Sequence, residues 1–117
     1  MRLNEVTYSD ARPVDGYGPG FFRIAGKVYE GDLLILPGGV SAWSGYDDPG
    51  AVVKVADQID VLFVGTGAEI VPIPAAFRSV LEDAGLGVEI MNTPSACRTY
   101  NVLLSEGRRI GLALIAV

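Results

Sequence analysis

An α/β domain is the fold this sequence predicts, on three observations from its second half. Asp60-Val61-Leu62-Phe63-Val64 is an apolar run of strand length that stops at Gly65-Thr66-Gly67, where glycine releases the backbone from ordinary φ/ψ limits. A second short strand, Gly87 to Met91, ends at Asn92-Thr93-Pro94, and Arg109 to Val117 closes the chain as a third apolar run. Two helical patterns lie between these strands. Such alternation asks for a sheet covered by helices, with right-handed crossovers wherever the joined strands are parallel.

The 117 residues read as one domain in three parts, 1–20, 21–59 and 60–117. Residues 1–20 are polar and carry Pro13, Gly16, Gly18 and Pro19, so an irregular arm is expected, with a short strand near Val6 to Tyr8. The β-rich part, 21–59, begins with Phe21 to Ala25, Lys27 to Tyr29 and Leu33 to Leu36, joined by the short glycine-bearing connectors Gly26 and Glu30-Gly31-Asp32. That spacing suits an antiparallel meander, which Pro37-Gly38-Gly39 terminates. Trp43 is expected to pin the loop from Val40 to Gly50 onto the core, because an indole offers large apolar area and a single N–H. The stretch Ala51 to Ile59 fits a strand or one helical turn.

In the βαβαβ part, 60–117, Pro72 and Pro74 delay the first helix, and Pro74 suits its first position. Phe77, Val80, Leu81 and Ala84 then recur at i, i+3, i+4 and i+7, and Gly85 ends the helix. Thr93 before Pro94 reads as the cap of a second helix with Ala96, Cys97, Tyr100, Leu103 and Leu104 on one face. Glu106-Gly107 stops it.

Composition limits the function classes. The formal charge is −5 and only Lys27 and Lys54 represent lysine, so no basic stripe exists to neutralise nucleic-acid phosphates. There is no histidine, which removes Ser-His and Cys-His pairs, histidine acid–base catalysis and histidine-ligated metals. One cysteine cannot make an internal disulfide, and a reducing, cytoplasmic setting is expected. No apolar run approaches the roughly 20 residues that span a bilayer, and the start of the chain lacks signal-peptide order, so integral membrane association is not expected.

Two polar clusters sit where ligands bind in open α/β sheets, beyond the carboxyl ends of strands. Gly65-Thr66-Gly67 resembles the start of a dinucleotide loop, but the third fingerprint position is Ile70, and Gly26-Lys27 lacks a Walker frame. No nucleotide cofactor, or any other, is expected. A tight turn needs no ligand; a small-anion or carbonyl-sized pocket is the intermediate reading. Thr93 and Arg98-Thr99-Tyr100-Asn101 supply the second cluster, with Arg98 and Asn101 on one helix face. Arg98 sits early in its helix, where the macrodipole does not favour a cation. A salt bridge to Glu89, Glu106 or Asp60 is preferred there to an anionic ligand. Cys97 is read as core, since without histidine it lacks the usual base. Asp47-Asp48 and Asp57 with Asp60 lack the ligand count of a calcium loop, and no metal site is expected.

Gly65-Thr66-Gly67, Val88 to Thr93, Ala96, Arg98 to Leu103 and Ser105 to Arg109, in that order, resemble a family of small α/β domains. It includes the adipogenesis-associated domain protein and the mitochondrial assembly factor three of NADH:ubiquinone oxidoreductase. The resemblance implies a three-layer single domain with a mixed central β-sheet, helices and a small extra β layer. It carries over no catalytic residue. It implies assembly or scaffolding for mitochondrial members and no assigned activity for free-standing bacterial-type members, which this chain resembles. The expected function is therefore a non-enzymatic binding or assembly module. Its expected site comprises Gly65, Thr66, Gly67, Thr93, Arg98, Thr99 and Asn101, open to a protein partner or a small anion. The alternatives are a histidine-free enzyme using Cys97 or Thr66 with Arg98, and a structural homo-oligomer paired through Ile110 to Val117.

Overall fold

The computed structural model describes residues 12–117; the strand expected near Val6 to Tyr8 lies outside them. The described elements run β1 (Gly16–Gly18), β2 (Phe21–Ile24), β3 (Lys27–Glu30), β4 (Leu33–Leu36), β5 (Gly39–Ala42), α1 (Gly50–Val53), β6 (Val61–Gly65), α2 (Ala75–Asp83), β7 (Gly87–Met91), α3 (Thr93–Ser105) and β8 (Ile110–Leu114). They make a three-stranded antiparallel sheet, β1-β2-β3, and a five-stranded sheet in the order β5-β4-β8-β6-β7. In the larger sheet β7, β6 and β8 are parallel, whereas β4 is antiparallel to both β8 and β5.

Strand β6 shows why this sheet is central. Val61 and Phe63 face one cluster of apolar side chains while Leu62 and Val64 face another, so both faces must be covered. The first cluster joins Phe22 and Ile24 of β2 to Ala96, Cys97, Tyr100 and Leu104 of α3. The second holds Phe77 and Leu81 of α2, Val52 of α1, and Trp43. The result is a three-layer α/β domain with a mixed central sheet, helices on both faces and a small extra β layer beside α3. The crossovers explain the placement of the helices. From β6 the chain steps through α2 to β7, then returns through α3 past β6 to β8. Opposite steps with one hand put the two helices on opposite faces.

Several local readings change, among them Pro74, which is the N-cap of α2 rather than its first helical residue. Leu33–Leu36 leaves the meander for the central sheet, because all four residues are apolar and need cover on both sides. Instead of terminating the β-rich part, Pro37-Gly38 turns a hairpin that pairs β4 with β5 through Leu36 and Gly39. Within the part read as an irregular arm, Gly16–Gly18 pairs with Phe21–Arg23 as β1. Finally, the cap of α3 is Asn92, whose side-chain Oδ1 accepts the Ser95 N–H at 2.8 Å. Thr93, expected at that position, lies in the first turn and is held by bonds elsewhere. Trp43 is buried, as an anchor should be. Ala51 to Ile59 opens with the helical turn of α1 rather than a strand.

Candidate functional site

The loops that leave the carboxyl ends of β6 and β7 go to opposite faces of the sheet and lie side by side. This is a topological switch point, where open α/β sheets place their ligand crevice. Gly65, Thr66, Gly67 and Thr93 all line it, but here the chain's own bonds fill it. The Gly67 N–H donates to Thr93 Oγ1 at 2.9 Å, and the Thr93 N–H donates to the Gly67 carbonyl at 2.8 Å. The Thr93 hydroxyl in turn donates to the Ile115 carbonyl at 2.7 Å, while the Ile115 N–H reaches the Gly65 carbonyl at 2.9 Å. Thr66 donates its N–H to the Met91 carbonyl at 2.9 Å; its hydroxyl donates to the Glu69 carbonyl at 2.7 Å and accepts the Val71 N–H at 3.1 Å.

Each glycine of this turn has a separate reason. A Cβ on Gly65 would stand 2.8 Å from Thr93 Oγ1 and 2.9 Å from Thr93 Cα, so its absence lets the start of α3 press against the end of β6. Gly67 has φ +104°, a conformation other residues seldom adopt. The start of α3 offers no spare donor for an anion: Thr93 N–H goes to Gly67, Pro94 has none, and Ser95 N–H goes to the Asn92 cap.

The structure separates the residues of the second cluster. Asn101 faces the N-terminal segment, where Oδ1 accepts the Val14 N–H and Nδ2 donates to the Val14 carbonyl, both at 2.8 Å. Tyr100 reaches the same segment, donating to the Arg12 carbonyl at 3.1 Å. Arg98 and Thr99 lie on the outer side of α3. Among the described residues Arg98 bonds only Ser95 Oγ, at 3.2 Å. Asp60, one carboxylate considered for it, pairs instead with Arg109 at 3.1 Å. Thus Gly65 to Gly67 and Thr93 are brought together, Arg98 and Thr99 stand on a neighbouring surface, and Asn101 ties down a third place. The polarity of Asn101 gave no sign that it would serve a backbone; its i, i+1 neighbour Tyr100, committed to the core, was the available signal.

Cys97 is buried beneath α3, and burial pushes its thiol up to about 11, with the nearby Arg98 charge opposing the shift in part. It is a thiol at neutral pH, not a thiolate nucleophile. Among the described residues no group of three or more histidine, cysteine or acidic side chains could hold a metal ion. No described helix is long and apolar enough to cross a membrane.

A hollow of ≈ 250 Å³ opens on the outer side of α3, lined among the described residues by Arg98, Thr99, Val102 and Leu103. Val102 is 56% exposed although it is a large apolar residue in mid-helix. An isolated exposed valine is ordinary, but this one forms a wall of a concavity with a guanidinium at its rim.

Comparison with known proteins places this geometry among relatives. An uncharacterized protein of Rhodobacter capsulatus is 50% identical over 115 residues, covering 98% of this chain and 93% of that one. NADH dehydrogenase [ubiquinone] 1 alpha subcomplex assembly factor 3 of Danio rerio is 34% identical over 106 residues, covering 85% of this chain. The aligned part spans 61% of that assembly factor's length. Among solved structures, one described as an outer membrane protein of Bartonella henselae matches with a TM-score of 0.86 and 35% identity, over 92% of this chain and 96% of that one. The match to the family described as protein of unknown function (DUF498/DUF598) runs over residues 14–115, and the chain belongs to that family.

Proposed function

We propose that this chain is a non-enzymatic binding module and that a protein partner docks on the outer side of α3. The observation that carries the proposal is the hollow of Arg98, Thr99, Val102 and Leu103, where apolar walls meet an exposed guanidinium. Such a surface suits a partner that inserts an aliphatic side chain and brings an acidic group to Arg98, the planar cation best matched to a carboxylate. An anionic group therefore enters as part of the partner, met by a side chain rather than by backbone amides. Gly65, Thr66, Gly67, Thr93 and Asn101 act indirectly by fixing where α3 lies. Kinship with a protein named as an assembly factor supports the same reading.

The test is site-specific photocrosslinking from position 102 in the native cell, repeated with Arg98→Glu. One discrete adduct, lost in the Arg98→Glu protein while its thermal unfolding stays unchanged, is the expected result. Adducts that persist after charge reversal, or a second copy of the chain as the sole product, would count against a heterologous partner at this surface.

A further inference from the structure

A second concavity lies on the opposite face of the sheet from α3, between the loop after β5 and helix α2. Its volume is ≈ 230 Å³, and its described lining is Tyr46, Asp47, Pro49, Ala76, Phe77 and Val80. Two of these side chains belong to a triad of mutually tilted rings. Tyr46 and Phe77 meet at 5.1 Å and 68°, and Trp43 packs edge-on to Tyr46 at 5.1 Å. Val80 stands 43% exposed at the wall although it belongs to the apolar stripe of α2. Asp47 is exposed and joins no ion pair among the described residues. Its neighbour Asp48 is engaged locally, accepting the Gly50 N–H at 3.3 Å.

Size narrows the occupant. Pockets that hold drug-sized ligands begin at about 300 Å³, so this one suits a single side chain better than a metabolite. Chemistry narrows it further, because aromatic rings beside an exposed carboxylate attract a cation, and the chain's net charge of −5 favours the same sign. Apolar walls from Pro49, Ala76 and Val80 would cover a methylene stem while the charged head meets ring and carboxylate. We propose that this hollow receives one basic side chain of a protein partner, arginine in preference to lysine because a planar guanidinium also stacks on rings. It is independent of the surface on α3: either can fail without the other.

The experiment is an amide-resolved NMR titration of the full chain with N-acetyl-arginine methylamide, compared with the uncharged N-acetyl-citrulline methylamide. Saturable shifts are expected at Tyr46, Asp47, Ala76 and the Trp43 indole N–H, with citrulline binding at least about fivefold more weakly. Asp47→Asn, a change at an exposed position, should weaken arginine to the citrulline level without altering thermal unfolding. Val80→Phe, which fills the hollow from the helix surface, should abolish the shifts for both probes. Equal responses to the two probes, shifts confined to other regions, or no response to arginine would each overturn the proposal.

Discussion

Thr93 carries more of this structure than its type suggests. It is fully buried, and its hydroxyl both accepts from Gly67 and donates to Ile115. Thr93→Val keeps the shape but leaves the buried Gly67 amide and the part-buried Ile115 carbonyl without this partner, so a loss of about 1–3 kcal/mol is expected in urea unfolding. Thr93→Ser should retain most of that. Cys97 makes a pH prediction with a definite sign. Burial disfavours the thiolate, so the folded thiol titrates near 11 while the unfolded one titrates near its ordinary 9.0. The contribution is whole below pH 9 and is lost as pH rises through about 11, by up to roughly 2–3 kcal/mol. Tyr100, raised by burial as well, adds in the same direction. Unfolding free energies at pH 8 and pH 10.5 should differ accordingly, less so in Cys97→Ala, and alkylation of native Cys97 at pH 8 should be limited by unfolding. From residue types alone, Thr93, Arg98 and Asn101 looked like one polar group. Only the chain path assigns them to a loop seam, an outer surface and a clamp on Val14, because polarity marks a hydrogen-bonding group without saying to whom it bonds.

Among the elements, those with an unbroken period were legible. Phe77 and Leu81 set the buried side of α2, and the wholly apolar β6 and β8 demanded central positions. Leu33–Leu36 was recognisable as a strand but not as a member of the larger sheet, since its four buried residues fit any two-sided core. The cap of α3, read as Thr93, is the adjacent Asn92: both are good cap types, and the Thr93 hydroxyl is spent on Gly67 and Ile115. Asn92→Ala should cost about 1 kcal/mol, read from thermal unfolding. Strand β7 borders no further strand among the described residues. Gly87 and Met91 bond toward β6, so Val88 and Ile90 turn their backbone groups outward, and Arg78 covers the Val88 carbonyl at 3.2 Å. That guanidinium, with exposed Glu89, blunts an edge that would otherwise recruit strands. Combining Arg78→Ala with Glu89→Val should increase self-association, measurable by sedimentation velocity.

For the molecule as a whole, the switch point of an open sheet is the customary place for chemistry, yet here both loops spend their polar groups on one another. That bonding locks β6, β7, α3 and the segment after β8 into one body, and the two surfaces proposed for recognition face outward: α3 with Arg98 and Val102, and the aromatic hollow beside α2. That both loops leave the carboxyl ends of strands was legible from the alternation of elements, whereas the strand order that makes them neighbours was not. Whether the space between them would be empty depended on one hydroxyl and one missing Cβ, at Thr93 and Gly65, which no pattern of residue types reveals. Inorganic phosphate titrated against the amide resonances of Gly67, Thr93 and Ser95 tests this most directly. A crevice closed by internal bonds predicts that these three amides stay unshifted to high phosphate and exchange with solvent only on unfolding; saturable shifts there, with fast exchange, would contradict it.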